Sequence, residues 1–270
     1  MIPVALTIAG SDSGGGAGIQ ADLKTFSALG VYGCSVVTAL TAQNTRGVRA
    51  VSEVPPAFVS AQLDAVFEDI RVDAVKIGML ANASIIEAVA DALARHRPRW
   101  VVLDPVMVAK SGDRLLEEDA VAALVERLLP LADLITPNLA EAAALVGQDL
   151  VRERRQMPPL AARLQGLGAR NVLVKGGHLD GPASPDFLLY GGEHRWFEAP
   201  RVPTRHSHGT GCTLSSAIAA FLARGRPLPE AVARAKAYLE EALRRADELE
   251  VGGGRGPVHH FHNLWRGEEP

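Results

Sequence analysis

Short apolar runs recur along the chain, each followed by a longer segment whose apolar residues return every three or four positions. This alternation constrains the fold more than any other feature. The runs are Val4–Ala9, Val31–Leu40, Ala74–Gly78, Trp100–Asp104, Leu134–Pro137, Asn171–Lys175 and Phe187–Tyr190, and each is expected to form a strand. The segments between them predict helices over Ala17–Leu29, Ala57–Phe67, Ala83–Arg95, Glu118–Leu129, Leu139–Val146 and Pro159–Leu167. Two more follow, Thr210–Ala223 and Pro229–Glu248. Strands that are apolar throughout are buried on both faces. Alternation with helices then gives βαβ units, so the expected class is α/β, with a central mainly parallel sheet and helices on both faces. Gly192–Phe197 returns from Phe187–Tyr190 through a Gly-Gly turn and predicts an antiparallel hairpin closing one edge. No internal repeat divides the chain, so residues 1–270 are expected to form a single domain, with Gly252–Pro257 a flexible joint to a tail.

Charge excludes one class of partner. The net charge is −3, and acidic and basic residues are interspersed without a basic block or arm, so no nucleic-acid surface is expected. The only cysteines, Cys34 and Cys212, are too few for a disulfide framework and lack metal-ligand spacing, which suits a reducing cytoplasm. Cys34 lies in an apolar strand and reads as a small core residue. The N-terminal apolar run is short and has no basic leader, so it reads as a first strand and not a signal peptide. No run of about 18 apolar residues exists to span a membrane.

Ligands of open α/β sheets bind beyond the carboxyl ends of the strands. Ser11 and Asp12, Gln43 and Asn44, Asp104, Asn138 and Lys175 all fall there. The sharpest motif is His208-Gly209-Thr210-Gly211-Cys212-Thr213, which runs directly into an apolar helix. Glycines let successive N–H groups point one way, and a helix N-terminus adds unpaired donors and a favourable dipole. The product is an anion hole suited to a phosphoryl group, although the same pattern also serves as a glycine-rich cap with no ligand. The loop Gly10-Ser11-Asp12-Ser13-Gly14-Gly15-Gly16-Ala17-Gly18 follows a strand and opens a helix. Ile19 stands where a dinucleotide fingerprint needs its third glycine, and the Lys-Ser/Thr of a P-loop is absent. A close backbone approach to a small substrate, a lid hinge and a tight β-to-α turn remain open. Asn138 and Glu141 share one face of a helix start. They are placed either to hold a hydrated Mg²⁺ or to form a capping box. His259, His260 and His262 have no carboxylate or thiol at metal-ligand spacing and read as packed or hydrogen-bonded side chains.

In order along nearly the whole chain, the motifs resemble those of the hydroxymethylpyrimidine and phosphomethylpyrimidine kinases, within the ribokinase-like superfamily. The matching stretches are Leu6–Asp12, Gly15–Thr25, Thr41–Thr45, Lys76–Leu80, Asp104–Met107, Ile135–Ala142, Val174–His178, His208–Thr213 and Gly256–His262. The resemblance implies a three-layer ribokinase-like fold, ATP as phosphoryl donor with Mg²⁺, and a homodimer. It implies phosphorylation of 4-amino-5-hydroxymethyl-2-methylpyrimidine and then of its monophosphate in thiamine biosynthesis, with pyridoxal kinase the alternative. It makes Gln43 the reader of the pyrimidine's amidine edge, because an amide offers both a donor and an acceptor. Asp22, Gly10, Met79 and Val106 become further substrate contacts. Lys175, Asn138 and Lys236 become ATP contacts, and Glu141 and Asp104 the metal residues. Gly209, Thr210 and Gly211 would form the anion hole, and Cys212 stands where related sugar kinases carry a carboxylate base. Its place at a helix N-terminus is expected to favour the thiolate. The chain departs from the family pattern at Arg205-His206-Ser207 and at Ser13-Gly14, neither of which is expected to touch Gln43 or the anion hole.

Overall fold

The computed structural model describes residues 1–107 and 118–265, so the single-domain expectation for 1–270 reaches positions outside them. In chain order the elements are β1 (Val4–Ala9), α1 (Gly18–Ala28), β2 (Tyr32–Val37), β3 (Ala39–Asn44), β4 (Gly47–Glu53), α2 (Pro56–Phe67), β5 (Ala74–Ile77) and α3 (Ala83–His96). There follow β6 (Val101–Leu103), α4 (Glu118–Ala123), β7 (Leu134–Ile135), α5 (Leu139–Leu145), α6 (Met157–Gly166), β8 (Val172–Lys175), β9 (Asp186–Tyr190), β10 (Glu193–Phe197), α7 (Thr210–Ala223) and α8 (Leu228–Arg244). An eight-stranded sheet runs β10-β9-β8-β7-β6-β5-β1-β2. Its strands from β8 to β2 pair in parallel, and β9 and β10 close one edge as the expected antiparallel hairpin.

Strand side chains alternate between two cores, as the period of two requires. Leu6, Ile8, Val75, Ile77, Val101, Leu103, Ile135, Val172 and Val174 pack with α2 to α6 on one face. Ala5, Ala74, Val102, Leu134 and Leu173 pack with α1, α7 and α8 on the other. The expected strand over Val31–Leu40 is two strands. The chain leaves the main sheet at Thr38, whose N–H donates to the Ala9 carbonyl at 3.1 Å and whose hydroxyl donates to the Met79 carbonyl at 2.7 Å. It then forms a separate antiparallel pair, β3–β4, with a bulge between Ala42 and Gln43. Gln43 and Asn44 therefore end β3 and not a strand of the central sheet. The expected helix over Glu118–Leu129 keeps α-helical form only to Ala123, then widens into a π turn over Leu124–Leu128 and tightens over Leu129–Leu131, where Pro130 supplies no N–H.

Gly252–Pro257 is a seam and not a free joint. Arg255 N–H donates to the Thr45 carbonyl at 2.8 Å and Gly254 N–H to Thr45 Oγ1 at 3.1 Å, while the Gly256 carbonyl accepts His208 N–H at 3.1 Å. The segment is thereby stitched to the β3–β4 turn and to the loop before α7. Beyond it, His260 Nε2 lies 3.1 Å from Thr213 Oγ1, and burial pushes His260 down to about 3, so the ring is neutral. His262 packs against Tyr238 with the two rings tilted at 40°.

One charged residue interrupts the alternation. Lys76, in the middle of β5, is fully buried on the α1/α7 face and pairs with Asp22 of α1 at 2.8 Å. Asp22 also accepts Thr7 Oγ1 and Ser216 Oγ, each at 2.6 Å. Burial works against the ammonium, but the charges of Asp22, Cys212 and Asp104 hold Lys76 above its ordinary value. Removing one member of such a pair strands a buried charge at a cost of about 3–5 kcal/mol, whereas replacing both with apolar groups is often neutral. Asp22→Ala is therefore expected to lose about that much stability in urea denaturation, and the double variant Asp22→Ala/Lys76→Met to recover most of it.

Candidate active site

Of the residues expected at the strand ends, Asp104, Asn138 and Lys175 meet beyond the carboxyl ends of β6, β7 and β8. Asp104, directly after β6, is almost wholly buried; its Oδ1 accepts Lys175 Nζ at 2.8 Å and Thr136 Oγ1 at 3.0 Å. Burial pushes the Asp104 carboxyl up, but Lys175 and Lys76 outweigh it and hold the group below its usual range. Lys175, the last residue of β8, is raised in turn: burial opposes its charge, and Asp104 and Glu141 more than compensate. Its Nζ lies 4.0 Å from Glu141 Oε2.

Asn138 and Glu141 form the capping box that the spacing allowed. Asn138 Oδ1 accepts the N–H groups of Ala140 and Glu141 at 2.9 Å, and Glu141 Oε2 accepts the Asn138 N–H at 2.7 Å. Capping does not exhaust Glu141, which sits buried beside Lys175 and Asp104. Burial raises its carboxyl to about 7, with Lys175 opposing and Asp104 reinforcing. Two carboxylates around one ammonium suit Mg²⁺, which takes one or two protein carboxylates and completes its shell with phosphate oxygens and water. Among the described residues no group of three His, Cys, Asp or Glu converges to form an all-protein metal cage.

The loop His208–Thr213 lies against this cluster. The first intrahelical bond of α7 runs from Thr213 N–H to the Gly209 carbonyl at 2.8 Å, so the Gly211 and Cys212 N–H groups have no partner within the helix. A Cβ on Gly211 would stand 3.4 Å from Asp104 Oδ2 and 3.5 Å from Lys175 Nζ. The glycine turn at the start of α7 and the charged pair are thus neighbours. Gly209 has φ +79°, and a Cβ there would meet the Gly16 carbonyl oxygen at 1.9 Å. Only glycine permits this approach of the second glycine-rich loop. The backbone N–H of Gly18, from that loop, acts on the half-buried Cys212 thiol in the direction of the thiolate. The expectation of a resting thiolate is overturned: burial raises the Cys212 thiol above its ordinary value, and the Lys76 charge only partly offsets this.

Around the first loop, Gly10 and Met79 are in contact; Gly10 N–H donates to the Met79 carbonyl at 3.2 Å, and a Cβ on Gly10 would strike Met79 Cε. Val106 folds back on Asp104 through a 2.8 Å backbone bond. Gln43 lines a cavity of about 230 Å³ with Ser13, Ala42, Asn44 and Arg49. A larger cleft of about 660 Å³, bordered by Thr204, Arg205, His206 and Asp247, contains none of the motif residues.

Two expected contacts sit elsewhere. Asp22 is sealed beneath the site with its carboxylate taken by Lys76, Thr7 and Ser216, so it is not a pocket wall. Lys236 is nearly buried, pairs with Asp186 at 2.5 Å and donates to the Ser184 carbonyl at 2.7 Å, which ties α8 to β9 rather than offering a free cation. The expectation that Ser13 avoids Gln43 also fails: the Ser13 hydroxyl donates to the Gln43 carbonyl and accepts its N–H, both at 2.8 Å. Sequence reasoning gave no role to Lys76, whose signal was a lone charge in an apolar strand, nor to the Asp12–His208 contact. Asp12 Oδ2 lies 2.8 Å from His208 Nε2 and also accepts the N–H groups of Gly16 and Ala17. Burial pushes Asp12 up, but His208 and the N–H groups of Gly14 and Ala17 hold it below the usual carboxylate range.

With that geometry in place, the comparisons decide the family. A family model described as phosphomethylpyrimidine kinase matches residues 12–259. The chain belongs to the phosphomethylpyrimidine kinase family. Within this family it is similar to the hydroxymethylpyrimidine/phosphomethylpyrimidine kinase of Rhizobium meliloti, at 60% identity over 98% of the chain and 100% of that protein. It is 58% identical to a thiamine biosynthesis bifunctional protein of Geobacter sulfurreducens, covering 95% of the chain and 52% of that protein. Among solved structures it resembles an ADP complex of Bacillus subtilis pyridoxal kinase, with a TM-score of 0.91 and 37% identity, covering 98% of the chain and 100% of that structure. The phosphomethylpyrimidine kinase family thus shares its architecture with pyridoxal kinases.

Glu141 gives the site a pH signature. Its folded value, about 7, lies above its ordinary 4.5, so the folded state is favoured while the group is protonated and loses that advantage as pH rises from about 4.5 through about 7. Thermal unfolding of wild type and Glu141→Gln across this range is expected to show stability falling with pH in the wild type and a flatter profile in the variant.

Proposed function

We propose that the chain transfers the γ-phosphoryl group of ATP to the primary alcohol of 4-amino-5-hydroxymethyl-2-methylpyrimidine and then to the resulting monophosphate, within thiamine biosynthesis. The observation that carries this reading is the meeting of Gly211, Asp104 and Lys175 at the N-terminus of α7, beside Cys212. Phosphoryl transfer is mostly a matter of position and charge stabilisation, and this cluster supplies both. The donors at the Gly209–Gly211 turn would cradle the transferring group, and Lys175 would offset charge on the phosphates. Asp104 and Glu141 would hold the Mg²⁺ that travels with ATP, with Asn138 fixing Glu141. That ion, when bound, neutralises charge on the phosphate oxygens.

Cys212 would accept the proton of the substrate hydroxyl. The hydroxyl oxygen forms its bond to phosphorus, the bond from that phosphorus to the bridging oxygen breaks, and ADP leaves carrying the electron pair. Gly10, Met79 and Val106 would wall the ring, and Gln43 would read its polar edge. Leu40 and Val51 are exposed on the β3–β4 pair. This is apolar surface that a second copy of the chain would cover, which supports a homodimer. Among the described residues no helix is long and apolar enough to cross a membrane, in keeping with work in the cytoplasm.

Release of ADP in the presence of the pyrimidine alcohol or of pyridoxal tests the substrate. Turnover of the pyrimidine well above that of pyridoxal is expected; the reverse ranking would make the chain a pyridoxal kinase. The role of Cys212 has its own signature. Cys212→Ala is expected to lower kcat by about 10²–10⁴-fold, the usual weight of a general base, with both KM values nearly unchanged. Because its thiol is raised, the thiolate fraction grows with pH. Wild-type kcat should therefore climb from about pH 7 to about pH 9, whereas Cys212→Asp, ionised throughout, should lose that slope and stay above Cys212→Ala.

A further inference from the structure

The Gln43 amide touches one neighbour at each end: Oε1 lies 3.3 Å from Thr41 Oγ1 and Nε2 lies 3.2 Å from His208 Nε2. The two ends of an amide have nearly the same shape, so the protons of the neighbours decide which end is which. Thr41 has a single hydroxyl proton, and its best acceptor is the Ser11 carbonyl at 2.9 Å. Thr41 Oγ1 therefore meets Gln43 as an acceptor and needs an N–H. His208 Nε2 lies 2.8 Å from Asp12 Oδ2, and an ionised carboxylate only accepts. Nε2 therefore carries a proton and meets Gln43 as a donor, which needs an oxygen. Both neighbours require the same orientation, with the amide nitrogen toward Thr41 and the amide oxygen toward His208. The opposite orientation sets an N–H against an N–H.

We propose that His208, held in its Nε2–H form by Asp12, is a positioning residue that sets the orientation of the Gln43 amide and through it the substrate specificity of the kinase. The inference rests on Gln43 being the reader of the ring. Once Thr41 and His208 are satisfied, the amide keeps one N–H and one lone pair for a ligand. A ring nitrogen beside an exocyclic amine presents the matching acceptor and donor. Their order along the edge decides which way round the ring lies, and so whether its hydroxymethyl group faces Cys212. Pyridoxal lacks such an edge. The same contact joins the two glycine-rich loops: Asp12 binds three N–H groups of the first, and His208 directly precedes the Gly209 turn of the second. Reading of the ring and assembly of the anion hole thus share one side chain.

Two measurements test this. Nitrogen-15 NMR of the unliganded wild-type protein is expected to show His208 protonated at Nε2; a bare Nε2 would overturn the proposal and needs no variant to fold. Kinetics of His208→Phe, Gln43→Ala and the double variant then separate the roles. His208→Phe is expected to raise the KM for the pyrimidine about tenfold, the usual weight of an unpaired polar contact. The KM for ATP should hold, and preference over pyridoxal should shrink. In the Gln43→Ala background the same substitution should add little. If Gln43→Ala changes the pyrimidine KM and His208→Phe multiplies that effect in full, His208 does not act through Gln43 and the proposal fails. If Gln43→Ala leaves the pyrimidine KM unchanged, the reading of Gln43 fails instead, and the proposal with it.

Discussion

The site exists because two glycine-rich turns approach each other closer than any side chain would allow. A Cβ on Gly209 would fall 1.9 Å from the Gly16 oxygen, and one on Gly18 would fall 2.3 Å from the Gly10 oxygen. Both glycines hold positive φ, where other residues are strained. The approach brings the end of β1, the start of α1 and the start of α7 to one point. Through it Asp12 reaches His208 at 2.8 Å.

Beneath that point, the charges are arranged in depth. Lys76 and Asp22 are sealed between the sheet and helices α1 and α7, with Thr7 and Ser216 completing the carboxylate's partners. Nearer the surface, Lys175 stands between Asp104 and Glu141. The two layers are felt by the same thiol. Burial raises Cys212, Lys76 lowers it, and the two aspartates raise it again. The net effect keeps the thiol above its ordinary value, and the cation beneath it is what limits the rise.

Legibility in the sequence followed the physics of each part. The central sheet was readable because its strands are apolar on both faces, and the strand ends then located Asp104, Asn138 and Lys175 through topology alone. The β3–β4 pair was not readable. Arg49, Val51, Ser52 and Glu53 are exposed and show no buried face, and no glycine or proline marks the break at Thr38. Asn138 and Glu141 fitted two readings, and the capping box is present in full while Glu141 still faces Lys175. The local sequence points Cys212 toward the thiolate because a helix N-terminus is local, whereas the burial that raises the thiol comes from distant elements. The contact of Asp12 with His208 spans 196 positions and leaves no local trace.

The seam at Gly252–Pro257 bears on how the protein is made. The sheet, both cores and every side chain given a part in the proposed reaction precede it in the chain. Yet the Thr45 carbonyl and hydroxyl and the His208 N–H are bonded by Arg255, Gly254 and Gly256. A ribosome that has delivered α8 has delivered every functional side chain but not the strap that holds Gln43's hairpin against the loop of His208. If Gln43 reads the ring as proposed, substrate recognition would be among the last properties acquired during synthesis, and a nascent chain halted before residue 254 would lack the contacts that fix that hairpin.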